Sequence, residues 1–278
     1  MNKTISNQIN SNPSKYLLSK VPEITIYFWI IKLLTTGMGE VFSDYLVKHI
    51  DPIIAVGAGG ICLAGSLLLQ FSAKRYVPWI YWLVVVMVSI FGTMAADIVH
   101  VVLGISYVVS TVFFAFALIV IFAVWHKAER TLSIHSINTR RREVFYWAAV
   151  LATFALGTAA GDMTATTLNL GYFSSGIVFA VLLAIPALGY KLIGMNEIGT
   201  FWFAYIMTRP VGASFSDWVS SPHSKGGLGV GEGPVSLVMT IIIVVLIGFM
   251  TFTRKDVQDD PVLSRKLEEN DGTISKVN

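Results

Sequence analysis

The sequence predicts an all-α polytopic membrane protein, with eight transmembrane helices arranged as four parallel two-helix repeats. Two observations carry this. The 278 residues are 54% hydrophobic and only 13% charged, with a mean hydropathy of +0.68, outside the range of an ordinary soluble domain. A Trp followed fifteen positions later by an Asp also recurs four times, always in an apolar stretch: Trp29/Asp44, Trp82/Asp97, Trp147/Asp162 and Trp202/Asp217.

A spanning helix needs about 20 mostly apolar residues. Segments of that size run, in order, at 24–47, 53–71, 77–99, 105–125, 143–166, 172–194, 198–219 and 234–253. The third and fourth are separated only by His100–Gly104. That stretch is read as a turn because Asp51, Gly104 and Asn169, all turn-formers, each fall seven residues after a repeat Asp. The repeats therefore occupy about 21–72, 74–126, 139–194 and 195–253. Residues 1–20 are polar, lack the apolar core of a signal peptide, and are expected to form a disordered cytoplasmic tail. Residues 254–278 have little to bury and are expected to do the same.

Basic residues set the orientation. Lys3, Lys15 and Lys20 precede the first segment, Lys74 and Arg75 the third, and Lys127, Arg130, Arg140, Arg141 and Arg142 the fifth. Lys191 precedes the seventh, and Arg254 and Lys255 follow the eighth, whereas the alternate loops hold only Lys48 and Lys225. By the positive-inside rule both termini are cytoplasmic, and the partner of the chain is the lipid bilayer. The formal charge of +3 reflects loops facing anionic lipid; no motif points to nucleic acid. The single cysteine, Cys62, excludes an intramolecular disulfide and any multi-cysteine metal or iron–sulfur site.

Ten residues after every Trp lies a glycine (Gly39, Gly92, Gly157, Gly212), and just before every Asp a small residue (Ser43, Ala96, Gly161, Ser216). This small-xxx-small stripe lets helix backbones approach closely. Two spans per unit return the chain to the same side, so the repeats are parallel, unlike the inverted pairs of many transporters. At 1.5 Å per residue each Asp lies roughly 22 Å further out than its Trp. The four carboxylates are thus expected at one depth, in the outer part of the bilayer, around a common axis. Four residues before each Asp, on nearly the same face, stand Glu40, Thr93, Thr158 and Ala213. The candidate ion-binding face is therefore Asp44, Asp97, Asp162 and Asp217 with Glu40, Thr93 and Thr158.

Bland readings stand beside this one. Gly-xxx-small is common in membrane helices, and Trp near an interface is usually an anchor. Carboxylates also exist to pair with buried cations, here Lys32 and Arg209. Arg209 sits mid-span and needs an Asp or Glu40 from another helix, with Asp217 expected to serve it. Ionisable groups are costly in hydrocarbon, and the acids still outnumber the bases after pairing. His100, three residues after Asp97, suits a metal ligand or proton relay, or else a helix cap. Arg209-Pro210 and Pro186 interrupt the seventh and sixth segments, as helices lining a cavity tolerate. The outer loop 221–234 has five glycines but lacks the Gly-Lys-Ser/Thr ending of a phosphate loop. It is read as a lid over the outer mouth or as a flexible connector.

The four Trp-x9-Gly-x4-Asp units, the run Ser214 to Trp218 and the glycine loop Gly226 to Gly231 resemble a family of bacterial membrane-anchored proteins built from a repeat of unknown function. The resemblance covers roughly Lys20 to Phe252. It implies a bacterial inner-membrane protein with this four-repeat architecture, and it supplies no catalytic residues.

The residues themselves point to transport of a cation, a divalent metal such as manganese, with Asp44, Asp97 and Asp162 as metal ligands and proton exchange through the same groups. Hard cations take oxygen ligands, which this face offers. No enzyme activity and no resident cofactor are implied; the cation is the substrate. Two alternatives stay open: a haem- or quinone-associated redox subunit using His100 and Asp97, and a non-catalytic scaffold. Whether one chain or a homodimer encloses the pathway is also open.

Overall fold

In the computed structural model, residues 19–256 are described. They form eight long helices: α1 (Ile26–His49), α2 (Pro52–Ser72), α3 (Pro78–Asp97), α4 (Tyr107–Glu129), α5 (Arg140–Asp162), α6 (Gly171–Ile193), α7 (Glu197–Ser220) and α8 (Glu232–Thr253). No strand occurs among the described residues. Local chemistry sets the starts. The side chains of Thr25, Asp51, Ser106, Thr139 and Asn196 accept from backbone N–H groups in the first turns of α1, α2, α4, α5 and α7, which fills otherwise orphaned donors. At the predicted turns, Gly104 and Asn169 have left-handed backbones (φ +64° and +55°) and Asp51 is the α2 cap.

α1, α3, α5 and α7 form an inner ring, and an identical contact repeats around it. A Cβ on Gly39 of α1 would meet Ser89 Oγ of α3 at 1.9 Å; on Gly92 of α3, Phe154 Cβ of α5 at 2.8 Å. On Gly157 of α5 it would meet Arg209 Cγ of α7 at 2.3 Å, and on Gly212 of α7, Thr36 Oγ1 of α1 at 1.9 Å. Each repeat glycine thus receives the residue seven places after the next Trp, and the fourth contact closes the circle. Nearer the helix starts the pattern recurs in aromatics: Phe28–Trp82, Tyr81–Trp147, Tyr146–Trp202 and Phe201–Trp29, with ring centroids 5.7, 5.5, 6.1 and 5.8 Å apart. Trp82, Trp147 and Trp202 are accordingly buried and Trp29 half-buried, so these indoles are ring packing rather than interface anchors.

The second helix of each repeat packs on the first helix of the following one: α2 on α3, α4 on α5, α6 on α7, and α8 back on α1. This outer layer leaves large apolar side chains exposed, among them Ile61, Phe116, Val181 and Val245. Among the described residues six helices are long and apolar enough to cross a membrane; their segments lie on α2, α3, α4, α5, α6 and α8. Eight were expected from the sequence. The two that fall short, α1 and α7, hold Lys32, Glu40, Asp44 and Lys48, and Glu197, Arg209 and Asp217; the inner ring buries Lys32, Glu40 and Arg209, while Lys48 and Glu197 are exposed at the helix ends.

α3 and α5 each run directly into one π-helical turn, Ile98–Val102 and Met163–Thr167. Leu103 N–H donates to Ile98 O (3.1 Å) and Leu168 N–H to Met163 O (2.9 Å). Such widened turns shift the residues beyond them out of helical phase, and here they begin just after Asp97 and Asp162. The tails read as disordered fall mostly outside the described residues. At their edges Lys20 Nζ meets Glu143 Oε2 (2.7 Å) and Asp256 Oδ2 accepts from Tyr76 Oη (2.7 Å).

Candidate functional site

Midway along the ring the four helices converge on one guanidinium. Arg209 of α7 is fully buried. Its Nη2 donates to Glu40 Oε2 of α1, to Thr93 Oγ1 of α3 (2.5 Å) and to Thr158 Oγ1 of α5 (2.6 Å); its Nη1 donates to Thr36 O (3.4 Å). Thr93 Oγ1 also donates to Glu40 Oε2 (3.0 Å). Three of these groups occupy the same repeat position, and the fourth copy, Ala213, has no polar group. Its small side chain leaves room for the arginine from one turn earlier. The partner of Arg209 is therefore Glu40. Asp217, expected to serve it, lies two turns on along the same helix, and the side chain that reaches across the ring is that of α1.

On the helix-start side of this layer sits Lys32, also buried. Its Nζ lies 3.7 Å from the ring centroid of Phe154 and 4.1 Å from that of Tyr205, and it makes no ion pair among the described residues. Two aromatic faces stabilise an ammonium by cation–π attraction. They leave it without a carboxylate.

On the other side are the repeat carboxylates. Ligand oxygens of Glu40, Asp162 and Asp217 all lie within 4.8 Å of one another, Glu40 buried and the two Asp half-buried. Three carboxylates at that separation can share a hard cation. Asp44, the metal ligand expected in α1, instead lies 3.5 Å from Lys48 Nζ, its side chain 36% exposed, and Lys48 also pairs with Glu232 at 2.6 Å. Asp97 is half-buried and stands outside the trio. The trio expected from sequence, Asp44, Asp97 and Asp162, thus becomes Glu40, Asp162 and Asp217. The cause is rotational: α1 brings Glu40 into the axis and leaves Asp44 to the rim. The side chains of Asp97, Asp162 and Asp217 accept no hydrogen bond among the described residues.

His100 is not part of this cluster. It lies in the π-helical turn after α3, its ring stacked on Tyr107 at 3.4 Å and its Nδ1 2.7 Å from Ile105 O, so the widened turn takes it away from Asp97's face and makes it the cap of the helix end. The glycine loop folds back on α7: Leu228, Gly229, Val230 and Gly231 donate to the carbonyls of Trp218, Ser221, Val219 and Ser220. It is an ordered cap over the end of α7 rather than a slack connector.

Two polar groupings were not anticipated from the sequence. Tyr81 Oη and Tyr146 Oη are 2.5 Å apart in the ring; both directly precede a repeat Trp, where the other two copies have Phe28 and Phe201, a signal present when the four repeats are aligned. At the helix-start side, buried Glu143 accepts from Lys20 Nζ (2.7 Å) and Gln70 Nε2 (3.0 Å), joining the start of the third repeat to the first repeat and the segment before it. Its only sequence trace is one acid after Arg140, Arg141 and Arg142.

Most of the chain matches a family model described as Repeat of Unknown Function (DUF347), in four copies at residues 27–76, 80–131, 145–193 and 200–256. No curated protein matches, and no solved structure matches.

Proposed function

The chain belongs to this repeat family of unknown function, and from that premise we propose that it is a cation transporter of the bacterial inner membrane, carrying a divalent metal such as manganese. It spans eight times as four parallel two-helix repeats with both termini cytoplasmic. α1 and α7 cross despite their charges because the ring shields Lys32, Glu40 and Arg209 from lipid, and Lys48 and Glu197 stand at the helix ends. One chain closes its own ring, so a homodimer is not needed to enclose the path.

The observation that carries this reading is the convergence of Glu40, Asp162 and Asp217 at the outer end of a closed ring, two of them without a protein donor. Carboxylates left without donors in a low-dielectric setting are stabilised by a counter-charge, which a bound cation supplies. Oxygen-only ligation of this kind suits hard divalent ions and excludes a copper(I) site. The Arg209–Glu40 pair lies directly below and closes the axis. A dication at the trio competes with Arg209 for Glu40, and release of the arginine opens the way inward.

His100 is stacked on Tyr107 and its Nδ1 pairs with Ile105 O rather than with Asp97, so the redox alternative loses the His100–Asp97 pairing it was built on. The scaffold alternative requires no half-buried acids. The test is manganese entry into vesicles containing the purified protein: entry above protein-free vesicles is expected. Absence of flux for every divalent cation tried would leave the scaffold.

A further inference from the structure

The seams where each outer helix lies against the ring are not filled alike. Two residues before the repeat Trp stand Tyr27, Ile80, Phe145 and Thr200. In α1 and α5 this position carries an aromatic ring that packs on the neighbouring outer helix. Tyr27 meets Phe249 of α8 with centroids 5.5 Å apart, and Phe145 stacks on Trp125 of α4 at 6.2 Å. Trp125 lies 28 residues after the repeat Asp97, and the residue 28 after Asp162 is Tyr190 of α6. Its counterpart across the seam on α7 is Thr200, which has no ring to offer. Tyr190 is left exposed, and Thr200 Oγ1 is buried with no hydrogen-bond partner among the described residues.

A cavity of about 470 Å³ lies where that ring would be. Trp29 of α1, Tyr190 of α6 and Phe201 of α7 give it aromatic walls, and it reaches inward to Thr208. The repeat-related seam between α2, α3 and α5 holds a smaller cavity, about 280 Å³, lined by apolar side chains alone. The larger one differs at its mouth on the helix-start side, where Glu23, His135 and Glu197 meet. His135 stands 3.8 Å from Glu23 Oε1 and 3.6 Å from Glu197 Oε1. Both distances are too long for a hydrogen bond, so each carboxylate keeps its capacity to accept. The position of Glu197 is held by Ile24, Val77 and Arg142 in the other copies, so the repeat does not require an acid there.

We propose that this cavity is a binding site for an arylalkyl amine. The ligand's aromatic ring takes the place of the side chain that Thr200 lacks, against Tyr190, Phe201 and Trp29, where edge and face contacts are both available. Its ammonium sits at the mouth and donates to Glu23 and Glu197, and such charge-assisted bonds are the strong ones. Thr200 and Glu197 are one helical turn apart, about 5–6 Å, which a short alkyl chain spans. An apolar cavity with a few convergent polar groups is the usual form of a small-molecule site. The same two acids repel an anionic head group. None of the residues Glu40, Asp162 and Asp217 takes part, so the proposal stands apart from the cation reading.

The test is equilibrium dialysis of radiolabelled phenylbutylamine against the full-length protein in lipid nanodiscs, with empty nanodiscs as the control for partition into lipid. Saturable binding at a single site per chain is expected. Phenylbutanol, with the same ring and chain but no charge, should compete about 10-fold less well, and phenylbutyrate not at all. Glu23→Gln combined with Glu197→Gln should bring the amine down to the level of the alcohol. Thr200→Phe restores the ring that α5 carries and should abolish binding without lowering the thermal midpoint. Ala204→Ile, the residue α1 has at that position, fills the same cavity and decides the matter if Thr200→Phe does not fold. No saturable binding above empty nanodiscs, as when a lipid acyl chain holds the cavity, would overturn the proposal. Equal competition by amine and alcohol, or wild-type binding by a folded cavity-filling variant, would overturn it too.

Discussion

The inner and outer helices come from one repeat yet obey different rules. Glycines of the inner helices are places where a neighbouring side chain touches the backbone: Gly39, Gly92, Gly157 and Gly212 leave no room for a Cβ. On the outer helices Gly57, Gly65 and Gly248 face open space. The inner helices carry every buried ion-pairing group of the axis, whereas the outer ones carry apolar side chains outward. Hydropathy therefore recognises the outer helices easily and misses two inner ones. A helix facing lipid must be apolar all round its exposed face, while one facing a polar axis is relieved of that demand.

The strongest way to break this contrast is Arg209→Ala. It strands a buried carboxylate, Glu40, and removing one member of a buried ion pair costs about 3–5 kcal/mol. The inner ring should lose cooperative melting, with a large drop in thermal midpoint in detergent. An unchanged midpoint would show that the pair does not hold the ring. Next is Gly157→Ala against Gly65→Ala. The first forces a methyl onto the Arg209 side chain and Pro210 and should destabilise by about 1–3 kcal/mol. The second should be neutral or slightly stabilising, since Ala is the better helix former by about 1 kcal/mol. Equal melting temperatures for the two variants would erase the inner–outer distinction.

The smallest effect concerns the edge of the bundle. Burial pushes the Asp256 carboxyl above its ordinary value, with the Tyr76 hydrogen bond pulling weakly the other way. The folded protein therefore holds this proton more tightly than the unfolded chain does. Its contribution is fully present below the ordinary carboxylate range and is lost as pH rises to the raised value. Asp256→Asn should flatten that slope in a series of melting curves from acid to neutral pH. A slope identical to wild type would place the pH dependence elsewhere.

The repeat spacing made the ring legible. Trp, Gly and Asp at fixed intervals are residues whose size or charge is set by contact with the next repeat, so their recurrence records the packing itself. Helical phase correctly put Glu40, Thr93 and Thr158 on one face. It failed just beyond, at His100, which lies within a π-helical turn that begins after Asp97 and moves it off that carboxylate's face. Of the partners the sequence offered Arg209, Glu40 or an Asp with Asp217 preferred, the structure takes Glu40. Counting acids and bases says that a pair must form, but which acid reaches depends on how each helix is rotated about the axis. The Glu143 cluster was illegible for a similar reason: Lys20 precedes the first repeat, Gln70 ends it and Glu143 opens the third, and no periodicity links them.

The central claim is that Glu40, Asp162 and Asp217 hold the cation while Asp44 belongs to the rim. The direct test is manganese flux in vesicles by the single variants Asp44→Asn, Asp162→Asn and Asp217→Asn. Asn keeps size but removes the charge that offsets desolvation of a dication. Asp162→Asn and Asp217→Asn should abolish flux in an assembled protein, and Asp44→Asn, at a position paired with Lys48 and part-exposed, should retain most of it. Loss in Asp44→Asn with full flux in Asp162→Asn and Asp217→Asn would contradict the account.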